Sequence, residues 1–203
     1  MEPTQQATPN YQIDGPSFGT RLKDSLVELI QFIAIVASIL MIIRVLIAEP
    51  HRVSGNSMLP NFHDNDYIIT NKLSVRLSTP KRGEVIIIKN PRNPEKDVFI
   101  KRVIGLPGET IKLLNGSVYI NGTLLQEPYL EDGLQTPGEG FLKEGDEVYI
   151  PQGNYFVMGD NRRNSSDSRD FGLVKEELLI GQAELRYWPI QKAMIIPVGA
   201  KTN

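Results

Sequence analysis

A serine and a lysine carry the chemistry that this sequence can do. Ser57 lies in Ser54-Gly55-Asn56-Ser57-Met58-Leu59-Pro60, a stretch with little helix or strand character. Lys101 lies in Phe99-Ile100-Lys101-Arg102-Val103-Ile104, an apolar run that reads as a strand. A hydroxyl is a weak nucleophile until a base takes its proton, and a lysine stripped of water can be that base near neutral pH. On strand alternation Lys101 shares a face with Phe99 and Val103, while Arg102 falls with Ile100 and Ile104. Lys72, Lys81, Lys89, Lys96 and Lys112 lie at turns, strand ends or in more polar company. A loop with Gly55 before the serine and Pro60 after it can expose a hydroxyl and aim backbone N–H groups at one point, as an oxyanion hole requires. Each residue also has a plainer reading. Serine is common in loops, and lysine commonly lays its stem on apolar surface with its ammonium in water.

A third segment, Gly159-Asp160-Asn161-Arg162-Arg163-Asn164-Ser165-Ser166-Asp167-Ser168-Arg169, is dense in hydrogen-bonding side chains. It reads either as a solvated loop or as a buttress for a buried cation, in which Asp167 pairs with Arg169 and a serine hydroxyl accepts from the lysine. Composition removes several alternatives. The chain has 203 residues, no cysteine, two histidines (His51 and His63) and a net charge of −2. Thiolate chemistry is excluded and a histidine-rich metal centre is not expected, so no cofactor or metal enters. There is no basic field to attract nucleic acid.

These residues need elements to position them. Leu26–Ala48 is apolar and about long enough to cross a bilayer core of roughly 30 Å, with Glu28 and Gln31 near its start and Arg44 near its end. Glu49-Pro50 then stops the helix. Residues 1–25 form an N-terminal tail, with no apolar periodicity over the first 20, and Arg21 and Lys23 favour a cytoplasmic placement for it. Residues 49–203 read as one mainly β domain on the far side of the membrane. Tyr67–Thr70, Val85–Lys89, Val98–Ile104, Thr110–Leu114, Ser117–Ile120, Glu147–Ile150, Tyr155–Met158 and Ala183–Tyr187 are the expected strands. Asn115-Gly116 marks a tight hairpin. Leu130–Lys143 is expected to be a surface loop, and Val174–Leu179 a short helix.

In this order the motifs resemble those of the bacterial type I signal peptidases, which are membrane-anchored Ser-Lys endopeptidases. They are Ser-Gly-Asn-Ser-Met-x-Pro, His-Asp-Asn-Asp-Tyr-Ile-Ile-Thr-Asn-Lys, Arg-Gly-Glu-Val-Ile with Ile-Lys-Arg-Val-Ile-Gly-Leu-Pro-Gly-Glu, and Gly-Asp-Asn-Arg-x-Asn-Ser-x-Asp-Ser-Arg. The resemblance runs from Arg44 to about Trp188. It implies a single N-terminal transmembrane helix before an antiparallel β-rich catalytic domain, with Ser57 the nucleophile and Lys101 the general base. It further implies that Ser165 bonds the lysine, that Asp167 and Arg169 support that loop, and that signal-peptide-bearing preproteins are the substrates. Two positions depart from the pattern. Gly55 stands where some members carry a serine whose hydroxyl completes the oxyanion hole, and Asn61 stands where a threonine is frequent. Three other readings stay open: a Ser-Lys autoprotease, a catalytically silent anchored β domain that binds exported proteins, and His63 as the base.

Overall fold

The computed structural model describes residues 18–197. The chain divides after Ile42 into two units. The described part of the first lies in α1, which runs Phe18–Leu46, and Leu22–Leu46 is long and apolar enough to cross a membrane, with its side chains exposed. At about 1.5 Å per residue those 25 residues span about 37 Å, more than the bilayer core requires. The helix starts earlier than expected, so Phe18–Ser25 is helical and not tail. The rest of the expected tail lies outside the described residues. The helix also ends before Ala48, because Ala48 opens a strand.

That strand, β1 (Ala48–Arg52), pairs antiparallel with β2 (Tyr67–Asn71), Pro50 facing Ile69. Proline has no N–H to give, and β1 is an edge strand, so it tolerates Pro50. The following strands are β3 (Val85–Lys89), β4 (Val98–Gly105), β5 (Thr110–Leu114), β6 (Ser117–Ile120), β7 (Thr123–Leu124), β8 (Glu147–Tyr149), β9 (Asn154–Met158), β10 (Val174–Lys175), β11 (Leu179–Trp188) and β12 (Met194–Ile195). The larger sheet has the order β1-β2-β11-β3-β4-β9-β10, with β12 on β11, and the smaller has β7-β6-β5-β8. Every pairing is antiparallel. The expected helix at Val174–Leu179 is absent. Val174 pairs with Tyr155, Glu176–Leu178 makes one 3-10 turn, and Leu179 already belongs to β11. Two glutamates favour helix locally, but cross-strand pairing of Val174 wins.

Side-chain alternation explains how the sheet is filled on both faces. In β3, Val85 and Ile87 pack with Val53, Met58, Phe62, Ile68 and Ile100, whereas Ile86 and Ile88 pack with Val103, Tyr155, Val157 and Val174. A third cluster, which includes Ile104, Ile111, Leu113, Leu142, Phe156 and Met158, joins the two sheets. Burial on both faces makes β3 a continuous apolar run in the sequence. Asn115 (φ 51°) and Gly116 (φ 68°) form the expected turn between β5 and β6.

Candidate active site

The Ser57 loop leaves the end of β1 and returns to β2. Val53, Met58 and Phe62 are buried in the core, so apolar contacts pin the loop on both sides of the serine. The Val53 N–H donates to Asp66 O (2.8 Å), and the Asn65 N–H donates to Val53 O (2.9 Å), which closes its base. Gly55 sits at φ +86°, a region that favours glycine, and its N–H donates to Asp64 Oδ1 at 2.9 Å. Ser57 is half-buried. Its carbonyl accepts the Asn161 N–H (3.0 Å), and the Asn161 amide donates to Asn56 O (3.1 Å). The Ser57 N–H has no partner among the described residues.

Lys101 stands in β4 opposite Ile86 of β3 and is 3% exposed. Its Nζ donates to Ser57 Oγ at 2.9 Å and to Ile100 O at 3.1 Å, and lies 5.2 Å from the centre of the Phe99 ring. Burial lowers its pKa from 10.5 to about 8, against the opposing charges of Asp167 and Asp160 and with the help of Arg169. About a tenth of it is therefore neutral at pH 7, against a negligible fraction for an ordinary lysine. A neutral amine 2.9 Å from a hydroxyl is in position to take its proton.

The third segment is built in part as expected. Arg169 grips Asp167 through Nε (2.9 Å) and Nη2 (2.7 Å), both side chains wholly buried. Asp167 also accepts the Gly159 N–H (3.0 Å) and caps the short helix α2 (Ser168–Phe171) through the Arg169 N–H. The expected bond from Lys101 to Ser165 is not formed. The lysine gives its hydrogen bonds to Ser57 and Ile100, while Ser165 Oγ is buried without a partner. Ser165 instead lies against Gly159. A Cβ there would collide with both the Ser57 carbonyl and Ser165 Oγ, so a glycine is required at this approach.

Other residues enter to which the sequence assigns no role. Arg102 turns to the opposite face from Lys101 and forms a buried bidentate pair with Asp160 (2.8 and 2.6 Å). Asn61 bridges Asp160 Oδ2 and Tyr129 O, each at 2.8 Å, so the departure from threonine is used. A cation at every position of an apolar strand must find a partner, and two adjacent ones were the available signal. The partner of Arg102 lies 58 residues away and leaves no local mark. His63 is exposed and does not line the groove that holds Ser57 and Lys101.

That groove has a volume of about 120 Å³ and is walled by Val53, Ile68, Ile87 and Ile100. Val98–Lys101 of β4 pairs with β3 alone, since β9 joins only from Arg102 onward. Within the sheet β1 pairs only with β2. Two partly unpaired strand edges thus contribute residues to one small recess of mixed polarity.

The family described as "Signal peptidase, peptidase S26" matches residues 26–188. A probable signal peptidase I-2 of Synechocystis sp. is 39% identical over 159 residues, covering 76% of this chain and 69% of that protein. Signal peptidase I of Bacillus licheniformis is 37% identical over 178 residues, covering 85% of this chain and 94% of the other. Signal peptidase I of Leptolyngbya laminosa is 36% identical over 196 residues, covering 94% and 89% respectively.

Proposed function

The chain belongs to the signal peptidase family, peptidase S26, and from that premise we propose that Ser57 is its nucleophile and Lys101 its general base in cutting signal peptides from exported preproteins. Neutral Lys101 takes the Ser57 Oγ proton as that oxygen attacks the scissile carbonyl. The Ser57 N–H donates to the developing oxyanion, with Gly55 adding no side-chain donor. The C–N bond breaks, the Lys101 ammonium protonates the leaving amine, and water activated by the same lysine releases the acyl group. Asp167 and Arg169 hold the loop behind the lysine. Ser165 supports it by filling the space beside Gly159 and the Ser57 carbonyl.

Substrate and setting follow from the same elements. An extended peptide pairs with the free edge at Val98–Lys101 and places small side chains in the recess. At about 120 Å³ the recess is well below the roughly 300 Å³ where pockets for larger ligands begin, which favours cleavage after small residues. Leu22–Leu46 is the membrane anchor, with the N-terminus cytoplasmic and the β domain on the extracytoplasmic side. Ser57 follows Ala48 by nine residues, so the chain holds it within roughly 30 Å of the membrane, where a signal peptide leaves the bilayer.

One observation carries the dyad: Lys101 Nζ lies 2.9 Å from Ser57 Oγ on a lysine that is 3% exposed. The test is cleavage of a preprotein by purified protein in detergent, with Ser57→Ala, Lys101→Ala and His63→Ala alongside. Loss of cleavage in the first two alone supports the dyad. Cleavage by Lys101→Ala at the wild-type rate rejects it.

A further inference from the structure

Leu130–Lys143, expected as a surface loop, belongs with the residues just before it to a segment that braces the Ser57 loop from both sides. Arg162 is fully buried, and its partners lie in this segment. The Glu127 carboxylate takes Arg162 Nη1 on Oε2 (2.9 Å) and Nη2 on Oε1, and the Tyr129 hydroxyl donates to the same Oε1 (2.6 Å). Thr136 Oγ1 accepts a further bond from Nη1 at 2.7 Å. Arg162 in turn donates from Nε to Gly159 O at 3.1 Å. Its neighbour Asn161 holds the Ser57 carbonyl by its N–H and the Asn56 carbonyl by its side chain. On the other flank, Asn61 donates to Tyr129 O at 2.8 Å. Between β7 and β8 this segment has no regular structure, so such side-chain bonds set its path.

We propose that Glu127 is a positioning residue for acyl transfer at Ser57: through Arg162 it fixes the Gly159–Asn161 turn that holds the Ser57 and Asn56 carbonyls. The proposal rests on Ser57 being the nucleophile. The hydrogen bonds of Glu127 go to Arg162 and Tyr129, and it is absent from the charges that shift Lys101. It therefore acts on where the nucleophile sits, while Asp160 and Asp167, whose charges act on the lysine, are held separately by Arg102 and Arg169. A buried guanidinium whose anion is removed must draw in water or move, and the turn that it supports moves with it. Small displacements of a reacting group carry large rate penalties.

The test uses the full chain in detergent micelles and a peptide substrate with small residues before the scissile bond. Glu127→Gln should lower kcat about 10- to 100-fold with KM within about twofold. The acidic limb of its pH profile should stay where it is in the wild type. Glu127→Asp should recover part of the loss. The double variant Glu127→Gln/Arg162→Met should have the same kcat as Arg162→Met alone, because both changes break one link. Wild-type kcat in a folded Glu127→Gln, a loss confined to KM, or losses that multiply in the double variant would each overturn the proposal. If Glu127→Gln melts below the assay temperature, a folded Glu127→Asp with wild-type kcat overturns it equally. Ser57→Ala run beside them separates the two levels, since cleavage by that variant rejects the nucleophile itself whatever Glu127 does.

Discussion

Replacing Lys101 with methionine should slow cleavage by about two orders of magnitude or more and yet stabilise the fold at neutral pH. The lysine is buried and its pKa falls from 10.5 to about 8, chiefly because burial disfavours the ammonium. A folded-state pKa below the unfolded one means that the unfolded chain binds more protons between those values, so wild-type stability rises with pH across that window. Below pH 8 the penalty is fully present. The difference between 10.5 and 8, at about 1.4 kcal/mol per unit, is about 3 kcal/mol. Methionine gives up the bond to Ser57, worth about 1 kcal/mol, so the variant should be more stable by about 2 kcal/mol at pH 6.5. In a domain of this size that is about 4–8 °C in Tm. By pH 10.5 the advantage should vanish or reverse, since the folded lysine is then neutral and the unfolded one about half so, which leaves little of the penalty. Thermal melting of both proteins in the same detergent, from pH 6.5 to 10.5, measures the difference, and groups common to both cancel. A Tm difference that does not change with pH, or one that grows as pH rises, would refute a desolvated lysine at this position.

Other consequences are independent. In kcat/KM, wild-type activity should fall about tenfold per pH unit on the acidic side of a limb near pH 8, and Asp167→Asn should move that limb lower, since Asp167 is the largest charge holding the lysine pKa up. A pH–rate series on both proteins measures it, and a limb that moves upward contradicts the sign. Gly159→Ala should lose activity and about 1–3 kcal/mol of stability, because the added methyl meets the Ser57 carbonyl and Ser165; kcat and melting read the two effects. Met58→Ala removes a side chain that is 1% exposed from under the Ser57 loop and should destabilise by about 2–5 kcal/mol in denaturant titration.

The parts of the molecule set by local rules could be read from the residues. Val85–Lys89, Thr110–Leu114 and Ser117–Ile120 are strands over the expected residues, because apolar runs and an Asn-Gly turn act over a few positions. Lys101 could be found because one cation in an apolar strand conflicts with its surroundings. β1 escaped notice, since Pro50 masks a strand that pairs on one side only. Arg102 with Asp160 and Glu127 with Arg162 escaped for another reason. Each pair joins segments distant in sequence, and neither segment records the partner that folding brings. Ser165 shows the converse error, a residue legible in its motif whose hydroxyl makes no bond to the lysine.

The most direct test of a Ser57–Lys101 dyad is to follow acylation itself. Wild type and Lys101→Met would be mixed with a slowly released substrate, quenched in acid at increasing times, digested, and the peptide containing Ser57 weighed by mass spectrometry. In the wild type the acyl group should accumulate on Ser57 within one turnover. In Lys101→Met, whose serine has lost the amine at 2.9 Å, acylation should slow by about two orders of magnitude or more. An acyl group on any other residue, or Ser57 acylated at the wild-type rate without Lys101, would contradict the dyad.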